Sequence, residues 1–91
     1  MQDTDCGPGE DPIESLEEGR AGYEIQGTVE QLFPDTRTIR VFDGTGSALM
    51  DYPPTEPSEG QCVSCRVLVR GPVIGSDRPN FYDVTVMSWD V

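Results

Sequence analysis

Asp43-Gly44-Thr45-Gly46 stands between two strand-like runs, Thr38 to Phe42 and Ala48 to Tyr52, and constrains this chain more than any other stretch. Asp-Gly between runs of alternating apolar residues is a strong hairpin signal. A tight strand-to-strand turn needs positive φ, which glycine supplies without a Cβ clash. The segment is read as the tip of an antiparallel hairpin, so the fold must contain adjacent antiparallel strands.

The neighbouring segments carry the same two-residue period. Tyr23, Ile25, Gly27 and Val29 alternate with Glu24, Gln26, Thr28 and Glu30, the pattern of a strand with one buried and one wet face. Gly27 marks a place where this strand bends or where another backbone comes close. Pro34-Asp35 makes the first turn. In the next strand Arg37, Ile39 and Val41 fall on one face and Thr38, Arg40 and Phe42 on the other, with Ile39 and Val41 marking the core side. After the hairpin tip, Ala48, Met50 and Tyr52 face inward.

Pro53 to Gly60 contains three prolines, which remove donors and fix φ, and so is a loop. Val63, Cys65, Val67 and Val69 are the inward set of a fourth strand, expected to break at Gly71-Pro72. Phe81 to Trp89 is a fifth strand with Tyr82, Val84 and Val86 inward. Ahead of all of these, Ile13 and Leu16 are three apart, as in one short helical or turn-like segment ended by Gly19, and are expected to plug the bottom of a barrel. Residues 1–12, with Gly7-Pro8-Gly9 and almost no apolar side chain, are expected to form a flexible acidic tail. The expectation is an all-β chain: a five-stranded barrel over residues 13–91 behind that tail.

Read together, the lead-in Ile13-x-x-Leu16-x-x-Gly19, a first strand bearing Gly27, the DGTG hairpin and a fourth strand led by Gly60 resemble the OB-fold of single-stranded DNA-binding proteins of the replication protein A class and their archaeal relatives. The resemblance spans roughly residues 13 to 91. It departs from many OB-folds in leaving room only for a loop between the third and fourth strands, where a helix is common. It implies a non-enzymatic barrel whose outer face on strands two and three, with the flanking loops, binds single strands through stacked aromatics and backbone-tracking cations. On this sequence that face would present Thr38, Arg40, Phe42 and Leu49, rimmed by Arg37 and Tyr52. Arg78 and Phe81 would close over it from the fourth-to-fifth connection.

Charge bears on that expectation. The 91 residues hold 17 acids against six bases, a net charge of −11, and every base is an arginine. A lysine-free acidic surface is what selection in a salt-rich cytoplasm leaves, because carboxylates hold hydration while salt screens their mutual repulsion. The composition points to a halophile of the haloarchaeal kind; an ordinary acidic protein with a basic partner is the alternative. The charge is uneven. Residues 1–20 carry seven acids and one arginine, a net of −6, and residues 21–91 carry ten acids and five arginines, a net of −5. The barrel is therefore less hostile to a phosphate backbone than the whole chain, although most nucleic-acid binders have a basic footprint.

A chain of this size buries only about 60% of the surface its unfolded state exposes, enough for a barrel but not for a deep substrate cavity. No apolar run approaches the roughly 20 residues of a membrane helix, and no basic start precedes an apolar segment, so a cytoplasmic protein is expected. The chain has no histidine, no phosphate loop and no dinucleotide-binding GxGxxG; Gly44-Thr45-Gly46 lacks both the spacing and the following helix. No enzyme activity and no cofactor are expected. Cys62-Val63-Ser64-Cys65 has the CxxC spacing of a metal or redox pair, but residues three apart in a strand point to opposite faces. The only further cysteine, Cys6, lies in the tail, short of the four ligands of a structural zinc site. Cys65 is expected in the core, with a zinc shared across a dimer as the other reading. The partner expected is single-stranded DNA or RNA. The alternative is a protein-protein module that docks a larger DNA-binding subunit.

Overall fold

A computed structural model describes residues 7–90. The strands are β1 (Ala21–Phe33), β2 (Thr38–Phe42), β3 (Ser47–Asp51), β4 (Cys62–Pro72) and β5 (Phe81–Trp89), preceded by a single 3-10 turn, Ile13–Ser15. They close into a barrel in the order β1-β2-β3-β5-β4, with β4 returning to β1. All pairs are antiparallel except β3 with β5. Such closure leaves no long unpaired sheet edge, and the architecture is that of an OB-like barrel.

β1 serves two neighbours. Its first half, Ala21 to Thr28, pairs with β4, and its second half, Thr28 to Phe33, pairs with β2. Gly27 sits at the crossover: a Cβ there would lie 2.6 Å from Val41 Cγ1 and 2.8 Å from the Phe42 carbonyl oxygen. The close backbone approach that the sequence suggested is the place where the barrel folds over itself.

A bulge between Val29 and Gln31 then changes the facing of the strand. Val29 pairs with Val41, while Gln31 pairs with Arg40 and Leu32 with Ile39, so Leu32 shares the inward side and Phe33 the outward one.

The core is built from the inward sets of all five strands. Ile25, Val29, Ile39, Val41, Ala48, Met50, Val63, Cys65, Val67, Val69 and Val84 are buried together with Ile13 and Leu16 of the lead-in, which fill one end of the barrel. Tyr23, Tyr52, Tyr82, Val86 and Trp89 pack against this cluster while remaining partly exposed. On the other edge of β1, the segment before the barrel runs alongside the strand. The Asp11 amide donates to the Glu24 carbonyl at 3.0 Å, the Glu24 amide donates to Asp11 Oδ2 at 2.8 Å, and Gln26 Nε2 donates to the Gly7 carbonyl. The part of the tail reading that concerns residues 1–6, Cys6 included, lies outside the described residues.

Two local expectations are corrected. Gly71-Pro72 does not break β4; the strand passes through a bulge between Val69 and Gly71, and Gly71 takes up the distortion at φ 149. Arg37 is not on the core face, because β2 begins one residue later. It is exposed in the Pro34–Arg37 turn at φ 54, which reverses the direction its place in the alternation implies. Tyr52 lies just past the end of β3 and still packs against the core. The Pro53 to Gly60 segment is a loop, as its prolines require.

Candidate nucleic-acid interface

The hairpin tip sets the position of the outer face. Asp43 is 2% exposed and satisfies four donors. Its Oδ1 accepts from the Thr45 amide (2.8 Å), the Thr45 hydroxyl (2.7 Å) and the Gly46 amide (3.0 Å), and its Oδ2 accepts from the Ile13 amide (2.9 Å). The carboxylate therefore shapes the turn and ties it to the barrel's end plug. The other side of the turn is held by the β4–β5 connection: the Ser47 amide donates to the Asn80 carbonyl (2.8 Å), and Asn80 Nδ2 donates to the Thr45 carbonyl (3.2 Å). Gly46 permits this docking, since a Cβ would lie 2.6 Å from the Asn80 carbonyl oxygen. The residues just before β5 are thus pinned beside the outer face of β2 and β3.

A shallow groove of about 270 Å³ opens on that face, lined by Phe33, Thr36, Thr38, Arg40, Leu49, Val73 and Phe81. Leu49 forms its floor from β3, next to Arg40 and Thr38 of β2. Phe33 and Phe81 are the aromatic walls. The groove runs into a second hollow of about 260 Å³ that shares Thr36, Thr38 and Leu49 and continues to Asp51, Arg70, Asp83 and Thr85. At the groove's edge Arg40 Nε donates to Glu30 Oε1 at 2.9 Å, and Arg78 Nη1 donates to the same oxygen at 3.2 Å and to Ser47 Oγ at 3.2 Å. Ser47 is on the outer side of β3, opposite Phe42, and is buried at 1%.

Of the residues named from sequence, Thr38, Arg40, Leu49 and Phe81 meet in the groove, and Arg78 reaches its edge from the loop. Phe42 is 39% exposed at the hairpin-tip end of β2, in register with Ser47 and so near the Arg78 contact rather than in the groove lining. Arg37 and Tyr52 are drawn together at the other end of the hairpin. The Tyr52 amide donates to the Arg37 carbonyl at 3.0 Å, and the Arg37 guanidinium lies 5.2 Å from the Tyr52 ring centroid, a cation–π pair. They are partners of one another and are not among the residues that line the groove. Sequence reasoning missed Phe33, Val73 and Glu30. Glu30 could have been suspected as a partner for an arginine one strand away, but Phe33 is turned outward by the bulge, which leaves no signature in the alternation.

The other chemistry-bearing features lie apart. Cys65 is a buried free thiol that faces Met50 Sδ at 3.9 Å. Burial, reinforced by Asp90 and Glu24, pushes its pKa up to about 12, which disfavours the reactive thiolate. Cys62 is disulfide-bonded, so the two CxxC cysteines do not act as a thiol pair. Among the described residues no group of three or more His, Cys, Asp or Glu side chains comes together to hold a metal ion. A larger hollow of about 370 Å³ surrounds Trp89 with Pro53, Pro54 and Asp90. It has an aromatic wall but no cation in its lining, which makes it a poorer place for a phosphate backbone than the groove. No helix among the described residues is long and apolar enough to cross a membrane. No protein-family model, curated protein or solved structure matches this chain.

Proposed function

We propose that this chain is a non-enzymatic OB-like barrel that binds single-stranded DNA or RNA along the outer face of β2 and β3, in the manner of the replication protein A class, in a salt-rich cytoplasm. The observation that carries the reading is the joining of two aromatic walls, Phe33 and Phe81, and an apolar floor, Leu49, with two arginines from separate elements at one edge. Aromatic surfaces accept any base by stacking, at about 1–3 kcal/mol per base, and do so without regard to net charge. Arginine beside them tracks the backbone. A chain of net charge −11 repels polyanions in dilute buffer. At about 1 M salt, however, the screening length falls to roughly 3 Å, and stacking decides affinity.

The test is fluorescence anisotropy of labelled oligo-dT and oligo-U titrated with the protein in molar KCl. Saturable binding is expected; a flat line rejects single-strand binding. The reading then left is a protein-docking module, which one observation favours independently: Ile74, next to Val73 of the groove, is 96% exposed. The salt-rich setting has its own test. The thermal midpoint is expected to rise between low and molar KCl as self-repulsion is screened, and a midpoint indifferent to salt removes the halophile reading.

A further inference from the structure

We infer that Glu30 is a built-in stand-in for a backbone phosphate: its carboxylate occupies the anion seat between Arg40 and Arg78 and is displaced when a strand binds. The inference rests on the single-strand reading above and deepens it. Two guanidinium groups, one from β2 and one from the β4–β5 connection, converge on a single oxygen, Glu30 Oε1, at 2.9 and 3.2 Å. The three side chains are only partly exposed, at 20% for Arg40, 36% for Arg78 and 28% for Glu30. Two cations against one anion leave a local formal charge of +1 beside the aromatic groove, in a chain of net −11. A phosphate oxygen offers the same charge and acceptor geometry as a carboxylate oxygen, and guanidinium forks serve either.

Glu30 is also placed to leave. It stands at the bulge of β1, its side chain keeps 28% exposure to solvent, and its partners are side chains rather than backbone. In the free protein it holds both arginines in position, which lowers the ordering cost of binding. It also blunts attraction for polyanions that cannot stack. A strand whose bases enter the groove brings a phosphate against the same arginines, and the Glu30 carboxylate turns out to solvent.

This exchange has a signature in salt. Binding normally releases counterions, so affinity falls as salt rises, with a slope near −0.7 per phosphate neutralised on a single strand. Here the phosphate gives up its cations while the freed carboxylate takes cations up, so this contact contributes little net release. Glu30→Gln removes the compensation and keeps an oxygen acceptor for both arginines.

The experiment compares wild type and Glu30→Gln by oligo-dT anisotropy from roughly 0.5 to 2 M KCl, with the slope of log affinity against log salt as readout. Glu30→Gln is expected to bind about tenfold more tightly at the low end, the worth of one uncontested charge-assisted hydrogen bond. Its slope is expected to be steeper than wild type by about 0.7 or more. Adding Arg78→Ala, on the exposed loop, should return the slope toward wild type. Equal affinities and equal slopes overturn the inference while leaving single-strand binding intact.

A second arm needs no oligonucleotide. Inorganic pyrophosphate is titrated while the arginine Nε–Hε NMR signals are followed. Shifts at Arg40 and Arg78 in Glu30→Gln, weaker in wild type, are expected. Their absence in the variant overturns the anion seat. Their presence in a protein that binds no oligonucleotide keeps the seat and rejects the single-strand reading.

Discussion

Asp43, in the β2–β3 turn, and Glu30, on the neighbouring strand β1, each accept more than one hydrogen bond, yet their donors differ in kind. Asp43 takes its donors from three backbone amides and one hydroxyl, all fixed by the turn and the end plug, and is 2% exposed. Glu30 takes its donors from two guanidinium groups on long stems and keeps contact with water. Backbone donors cannot leave without unmaking the turn, whereas arginines can pass from one anion to another without moving the backbone. The comparison teaches that the kind of donor, more than the number of hydrogen bonds, separates a carboxylate built into the turn from one held only by exchangeable side chains at the surface.

The sharpest way to break that contrast is Asp43→Ala. It strands the buried Ile13 amide and the Thr45 and Gly46 amides at once. An unsatisfied buried donor costs about 1–3 kcal/mol, so a loss of roughly 3 kcal/mol or more is expected. For a domain of this size that lowers the thermal midpoint by on the order of 12 °C or more, measured by circular dichroism in molar KCl. A midpoint within a few degrees of wild type would mean that Asp43 is no more structural than Glu30. Next in size is Gly46→Ala. Its Cβ would fall 2.6 Å from the Asn80 carbonyl oxygen, a backbone atom that cannot step aside cheaply. Overpacking of this kind costs about 1–3 kcal/mol. Because the collision pushes the β4–β5 connection away from the hairpin, weaker oligonucleotide binding should accompany the lost stability.

The same contrast explains what could be read ahead of the structure. The hairpin and the inward sets of β2 and β4 were legible because a closed sheet repeats every two residues and the apolar residues follow it. The composition of Pro53 to Gly60 was equally plain. Facing was lost where the period slips. A strict alternation through β1 puts Phe33 inward with Val29, and the bulge at Glu30 turns it out into the groove. Arg37 was misplaced because one residue of left-handed turn precedes β2. Asp43 was legible as a turn residue, but not as the tie to the end plug, since the amide it holds on Ile13 is 30 residues away in sequence. The site was thus half legible. Arg40, Leu49 and Phe81 come from regular strands, while Phe33, Val73 and Glu30 depend on a bulge and on long-range docking.

Phe81→Ala tests the functional side of the comparison with a smaller effect. The ring is half-buried on a groove wall at the first residue of β5 and is not among the buried core residues, so its loss should leave the barrel folded. Removing one stacking surface is expected to weaken oligo-dT binding by about 1–3 kcal/mol, or roughly 5-fold to 150-fold, with little change in its salt slope. If affinity is unchanged while the midpoint falls, Phe81 belongs with Asp43 as part of the scaffold and the groove is not the binding face.

The smallest effect is expected at Arg66, which resembles Arg40 in chemistry and differs in setting. Its Nε donates to Glu24 Oε2 at 2.7 Å, a shorter contact than either arginine makes to Glu30, and judged on distance alone it would be the more important pair. Its side chain, however, is 53% exposed, and the pair is one cation to one anion on the β1–β4 side of the barrel, away from the aromatic groove. Water and salt screen such a pair, and holding two long side chains in one geometry costs entropy that offsets most of the attraction. No positive charge is left over to meet a phosphate. Arg66→Ala should therefore leave the thermal midpoint within a few degrees of wild type in molar KCl and leave oligo-dT affinity and its salt slope unchanged. An Arg66→Ala variant that bound as weakly as one lacking Arg40 would show that strands pass over both sides of the barrel. The two-to-one ratio at Glu30 would then no longer mark where the backbone runs.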